Sequence, residues 1–126
     1  MSGLTYDTGA LIAAERDNRL MWALHLAALG RGVKVTVPAG ALGEAWRGGP
    51  QAGLSMLLKG CVVEALTEPQ AREVGVLIGR SGVADTVDAA VAEGALRRRD
   101  AVVTSNRSDI ERLMASVAPP MPIHEV

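Results

Sequence analysis

The chemistry this sequence offers is carried by carboxylates. Asp7 ends the apolar stretch Leu4-Thr5-Tyr6, and Glu44 stands among Leu42, Ala45 and Trp46. Asp85 and Asp88 are three residues apart and so share a helix face. Asp109 follows Thr104-Ser105-Asn106-Arg107-Ser108. Two carboxylates held side by side repel unless something positive lies between them, and a divalent cation is the simplest candidate. Donors that are all oxygen, at an open site, favour Mg²⁺ or Mn²⁺ over Zn²⁺, which prefers His or Cys. The short hydroxyls of Thr104 and Ser105 can orient water or a phosphate. Each acid taken singly also has a plainer use. Asp7 can cap a helix, Glu44 can be a solvated helix residue, and Asp85 and Asp88 can stabilise a helix N-terminus. Ser108 or Asp109 can cap the helix that follows.

Other chemistries are poorly supplied. The single cysteine, Cys61, lies in an apolar run and reads as a buried, inert thiol, with no partner for a disulfide or a metal cluster. His25 and His124 are solitary and read as surface or packing residues. No Ser/His/Asp or Cys/His arrangement is present, and glycine-rich nucleotide-binding motifs are absent.

The elements that must position the acids alternate between strand and helix. Leu4 to Tyr6 reads as a strand, Thr8 to Asp17 as a helix with Leu11, Ile12 and Ala14 on its apolar face. Asn18 is placed to cap a second helix running to about Leu29 and closed by Gly30. Val33 to Val37 alternates as a strand and stops at Pro38. A helix with Leu42, Glu44 and Trp46 follows, broken by Gly48-Gly49-Pro50. Further helices are expected over Gln51–Lys59, Glu68–Arg80, Ala84–Arg98 and Ser108–Val117. Strands are expected over Cys61–Leu66, Ala101–Thr104 and Pro122–Val126. Such alternation implies an α/β sandwich around a mostly parallel sheet, in one domain spanning 1–126. In an open parallel sheet, ligands bind beyond the carboxyl ends of the strands, which is where Asp7 and the Ser105-to-Asp109 loop fall.

Composition sets the limits. With 126 residues the chain builds one hydrophobic core of useful size, and with no Phe and two Trp that core must come from Ala, Val and Leu. The net charge of −1 argues against a general nucleic-acid coat protein. Setting the five acids above aside leaves the remaining surface mildly basic, which permits RNA binding. No signal peptide is legible at the N-terminus and no apolar stretch is long enough to span a bilayer, so a cytoplasmic protein is expected.

The ordered set of acids is more specific than its members. It resembles the PIN domain, in particular VapC-type toxins of toxin–antitoxin pairs. The opening Leu4-Thr5-Tyr6-Asp7-Thr8-Gly9 looks like that family's apolar strand ending in Asp followed by Ser or Thr. Leu42-Gly43-Glu44 matches its helical Glu, and Asp88-Ala89-Ala90-Val91-Ala92 its D-A-x-[IV]-A pattern. Val102-Val103-Thr104-Ser105-Asn106 followed by Asp109 matches its last strand, with Asn106 where many members have Asp and Ile110 where many have Phe.

The resemblance covers essentially the whole chain and implies a three-layer α/β/α sandwich of PIN type, with a central sheet of about five strands. It implies an endoribonuclease that hydrolyses RNA phosphodiester bonds. Asp7, Glu44, Asp88 and Asp109 would be its catalytic acids. They would hold one or two Mg²⁺ or Mn²⁺ ions, with Asp85 as a further candidate ligand. Thr8, Thr104, Ser105 and Asn106 would support the site. The partners it implies are an RNA substrate, a small VapB-type antitoxin and a second copy of the chain.

Arg47, three residues after Glu44, is the first candidate for RNA contact. Arg31, Lys34, Arg80 and the run Arg97-Arg98-Arg99 are further candidates, although the run is better explained as a solvated helix end set against the helix dipole. Trp22 and Trp46 are expected in the core, with interface anchoring as the other use. A receiver domain would need an acidic pair before its first strand. A haloacid-dehalogenase-type phosphatase would need an acid where Gly9 stands. The alternative of another class is a PIN-like module that binds RNA or protein without turnover.

Overall fold

In the computed structural model, residues 3–115, 117 and 121–126 are described. The chain runs β1 (Leu4–Tyr6), α1 (Thr8–Glu15), α2 (Arg19–Gly30), β2 (Val35–Pro38), α3 (Ala39–Ala45) and α4 (Ala52–Leu58). It continues with β3 (Val62–Glu64), α5 (Glu68–Ser81), α6 (Thr86–Arg98), β4 (Ala101–Thr104), α7 (Arg107–Met114) and β5 (Ile123–Glu125). The strands form one parallel sheet in the order β3-β2-β1-β4-β5. This is the PIN-like α/β/α sandwich that the resemblance implies.

Period-two alternation sorts the central strands between two cores. Leu4, Tyr6, Val35, Val37, Ala101 and Val103 pack with Leu11, Met21, Leu54 and Leu57 of α1, α2 and α4. Val102 points the other way, into Val91, Ala95, Ile110 and Leu113 of α6 and α7. Each fully buried leucine contributes roughly 1.5–3 kcal/mol, so a core without Phe is still adequate when both faces of the sheet are covered. On the strand positions between the first set lie Thr5 and Thr36, both buried.

The helix ends are set by short-range chemistry. The Asn18 side chain accepts from the Met21 N–H at 2.9 Å and starts α2, as expected. Thr67 and Gln70 form a reciprocal capping box at α5, which Gly82 ends in the left-handed conformation at φ 75°. The helix expected from Ala84 begins at Thr86, because Asp85 takes the capping position. The helix expected to include Trp46 stops at Ala45. The Gln51 side chain bonds the Ala45 carbonyl at 3.0 Å and the Arg47 N–H at 2.7 Å, replacing what another helical turn would supply. The last helix begins at Arg107 and ends at Met114, short of Val117; residue 116 in that stretch lies outside the described residues. Among the described residues no helix is long and apolar enough to cross a membrane.

The strand order decides where a ligand can enter. From β1 the chain moves outward through β2 to β3, then returns to lay β4 on the other side of β1. The crevice left where the direction reverses lies between the carboxyl ends of β1 and β4, and those ends deliver Asp7 and Thr104.

Candidate active site

Asp7 follows β1 directly and is 4% exposed. Its backbone N–H donates to the Val103 carbonyl at 3.1 Å, which ties it to β4. Its Oδ1 accepts from the Ala10 N–H at 2.9 Å, so the residue does cap α1. Capping engages one carboxylate oxygen and does not exclude a second role for the other. Burial raises the Asp7 pKa, opposed by the Thr104 hydroxyl and by the Ala10 and Gly9 amides, while the charge of Glu44 pushes it further up.

Asp88 is the focus of the group. It lies in the first turn of α6, half-buried, and its pKa is pushed up to about 6. Burial is the largest cause, followed by the charges of Asp85, Asp7, Asp109 and Glu44 in that order. The other four acids singled out in the sequence are therefore all within electrostatic reach of Asp88, although they come from separate segments of the chain. None of the five forms an ion pair among the described residues.

The individual placements differ. Glu44 is exposed and accepts from the Thr8 hydroxyl at 2.6 Å, a contact that joins α1 to α3. Asp85 caps α6 by accepting from the Asp88 N–H at 2.9 Å, so its plain structural role is realised. Asp109 accepts from the Asn106 side-chain amide at 3.2 Å, and Asn106 in turn accepts from the Ser108 hydroxyl at 3.0 Å. Thr104 is buried, and its Oγ1 accepts from the Asn106 N–H at 2.8 Å, which folds the β4–α7 turn toward the rim. Arg47 is exposed, with Nη1 donating to the Trp46 carbonyl at 2.8 Å.

The donor chemistry fits an oxygen-seeking divalent cation: several carboxylates, a partly exposed rim, and no His or Cys among the acids. The fit is to the type of donor and not to a finished cage. Among the described residues no three His, Cys, Asp or Glu side chains are gathered closely enough to hold an ion as they stand. Asp7, Glu44, Asp88 and Asp109 are the carboxylates that could supply such oxygen donors.

Two expectations change on contact with the structure. Arg97 and Arg98 are not a solvated helix end but are held in ion pairs. Arg97 pairs with Glu93 and Glu64, and Arg98 with Glu64, Asp100 and the Thr5 hydroxyl. Trp46, expected in the core, is 41% exposed. Trp22 does pack, donating Nε1–H to the Ala14 carbonyl at 3.0 Å and meeting His25 edge-on. His25 is buried against Tyr6, whose hydroxyl lies 2.7 Å from Nδ1, and burial lowers its pKa, so it serves packing. Burial pushes the Cys61 thiol up to about 12, in keeping with an inert cysteine.

Gly9 is a residue that the sequence reading left without a role at the site. A Cβ there would overlap the Ser105 side chain, so only glycine lets the β4–α7 turn close against α1. The signal was present, since glycine in a first helical turn is unfavourable by roughly 0.8–1 kcal/mol relative to alanine and calls for a steric reason.

No family model and no curated protein matches the sequence. Solved structures do. The chain is similar to the structure of VapBC2 from Rickettsia felis bound to a DNA fragment from their promoter, with a TM-score of 0.73 over 98% of both chains and 15% identity. It is also similar to PAE2754 from Pyrobaculum aerophilum, with a TM-score of 0.64 over 98% of this chain and 83% of that one, at 19% identity. At these identities the likeness is one of fold.

Proposed function

We propose that the protein is a metal-dependent endoribonuclease, the toxin of a toxin–antitoxin pair. The observation that supports this most directly is the convergence of Asp7, Glu44, Asp85 and Asp109 on Asp88, at the crevice where strand order reverses. Five acids with no basic partner are poorly explained as surface decoration, because their mutual repulsion opposes folding. The likeness of fold to VapBC2 adds the biological setting.

In this reading Asp7, Glu44, Asp88 and Asp109 hold Mg²⁺ or Mn²⁺, which supplies charge neutralisation at the scissile phosphate and activates water for attack. Asp7 is fixed by its cap, its bond to β4 and the Thr104 hydroxyl, so its carboxylate keeps one direction. Thr8 orients Glu44, and Asn106 orients Asp109. Thr104 holds the turn that carries Ser105 and Asn106, and its hydroxyl favours the ionised form of Asp7. Asp85 fixes the start of α6 and adds negative charge beside Asp88. A VapB-type antitoxin, a homodimer and a cytoplasmic site of action follow from the same reading.

The test is cleavage of a mixed tRNA, rRNA and mRNA pool with Mg²⁺ or Mn²⁺, beside EDTA and an Asp7→Asn control. Cleavage that is lost in both controls, by more than about a hundred-fold, is the expected result. A wild-type protein that neither cleaves nor binds Mn²⁺ would sink the enzyme and leave a PIN-like binding module.

A further inference from the structure

The rim has a neighbour that its own chemistry does not use. A shallow depression beside α1 is lined by Glu44, Arg47, Arg16 and Gln51, among others. A second depression, on the Ser105 and Gly9 side, also reaches Arg16. Arg16 caps the C-terminal end of α1, is exposed, and stands where the two depressions meet. Nine residues separate it from Asp7, which along a helix is about 13–14 Å, the reach of a few nucleotides.

The depression carries acids as well as bases, and Arg47 donates Nη1 to the Trp46 carbonyl at 2.8 Å. Glu15 accepts from the Leu54 N–H at 2.6 Å, and Glu44 accepts from Thr8. Neither Arg16 nor Arg47 forms an ion pair among the described residues. Beside Arg47 stands Trp46, an exposed aromatic in a chain that is 2% aromatic. The turn carrying both is pinned by Gln51, so the pair is held without being covered.

We propose that Trp46, Arg47 and Arg16 form a subsite for single-stranded RNA that leads away from the Glu44 side of the rim. Trp46 stacks an unpaired base, and the two guanidinium groups take successive phosphates. Only an unpaired strand offers a free base face, so the substrate class is a loop or single-stranded segment and not a continuous duplex. The subsite rests on the ribonuclease reading for its purpose, but its binding is measurable without turnover.

The experiment is titration of a mixed-sequence single-stranded RNA 12-mer, and of its duplex, in EDTA. It compares tryptophan fluorescence and affinity in the wild type, Trp46→Leu and Arg16→Ala. Wild type is expected to prefer the single strand, with quenching absent in Trp46→Leu and affinity reduced roughly ten-fold. Arg16→Ala is expected to weaken binding several-fold and to lower the salt slope by about 0.7. Equal affinity in all three proteins overturns the subsite, as does quenching that rises with protein concentration without RNA, which would assign Trp46 to contact with a second copy. If the variants lose binding while wild type cleaves nothing in Mg²⁺, the subsite stands and the nuclease falls. If wild type cleaves while the variants bind unchanged, the reverse holds.

Discussion

Helix α6 carries a cluster of charged groups at each end, and the two are built on opposite plans. At its N-terminus Asp85 and Asp88 stand with Asp7, Glu44 and Asp109, and no basic side chain pairs with any of them among the described residues. At its C-terminus Arg97 and Arg98 meet Glu64, Glu93 and Asp100 in a closed set of ion pairs. Both ends agree in sign with the helix dipole, so the dipole does not explain the difference. What differs is whether the protein provides the countercharge. Where it does, β1, β3, α6 and the start of β4 are joined. Where it does not, the acids remain available to an external cation.

The paired end should therefore dominate stability. Arg98 is 14% exposed at the side chain and contacts Glu64, Asp100 and Thr5 at once. Its removal strands a buried Asp100 and leaves Glu64 with Arg97 alone. Arg98→Ala is expected to lower the free energy of unfolding by about 3–5 kcal/mol, read from urea denaturation. The figure is the cost of orphaning buried charge. It is not the worth of the pairs against an apolar core, which can be close to nil. A loss below about 1 kcal/mol would mean that the network is surface-like and that the two ends of α6 do not differ in kind.

These two ends were not equally legible in the sequence. The acids at the rim could be named because strand ends and helix starts are local signals, and their order along the chain resembles a known pattern. Their convergence on Asp88 needed the crossover from β3 back to β4. The pairs at the other end join residues 34 and 93 positions apart, Arg98 with Glu64 and with Thr5, and no periodicity reports such a contact. Arg97 and Arg98 therefore read as a solvated helix end. Trp46 was misplaced for a similar reason. A side chain five residues on, Gln51, ends the helix before Trp46 and leaves its ring outside. The central strands were legible because alternation alone assigns Leu4 and Tyr6 to one face and Thr5 to the other.

The unpaired end should show itself through pH. The pKa of Asp88 rises from an ordinary 3.8 to about 6 on folding, and that of Asp7 rises too. The folded chain thus holds these protons longer than the unfolded one. The associated stability is fully present below the ordinary carboxylate range and is lost as pH rises through about 6. Between about pH 4 and 7, unfolding free energy is expected to fall by about 1–2 kcal/mol from Asp88, discounted for its partial exposure. Mn²⁺ should restore it at pH 7 by favouring the ionised form, and Asp88→Asn should flatten the profile. A wild-type profile that is already flat, and indifferent to Mn²⁺, would remove the contrast between the two ends.

The smallest effect sharpens what pairing means. Arg72 and Glu68 form an i,i+4 ion pair on α5 at 2.8 Å, as short as the Arg98–Glu64 contact, but their side chains are 78% and 77% exposed. Water already solvates both charges, so holding them together gains little against the rotamer freedom lost. Arg72→Ala is expected to change stability by no more than about 0.5 kcal/mol, and less at high salt. The contact distance is matched between the two pairs, but burial and the number of partners are not, so the ratio of their effects reports what burial and networking add together. If Arg72→Ala were to cost as much as Arg98→Ala, distance alone would govern these pairs. Asp7 and Asp88 would then be unusual only in lacking a basic neighbour, and not in being held, buried or half-buried, where water cannot fully replace one.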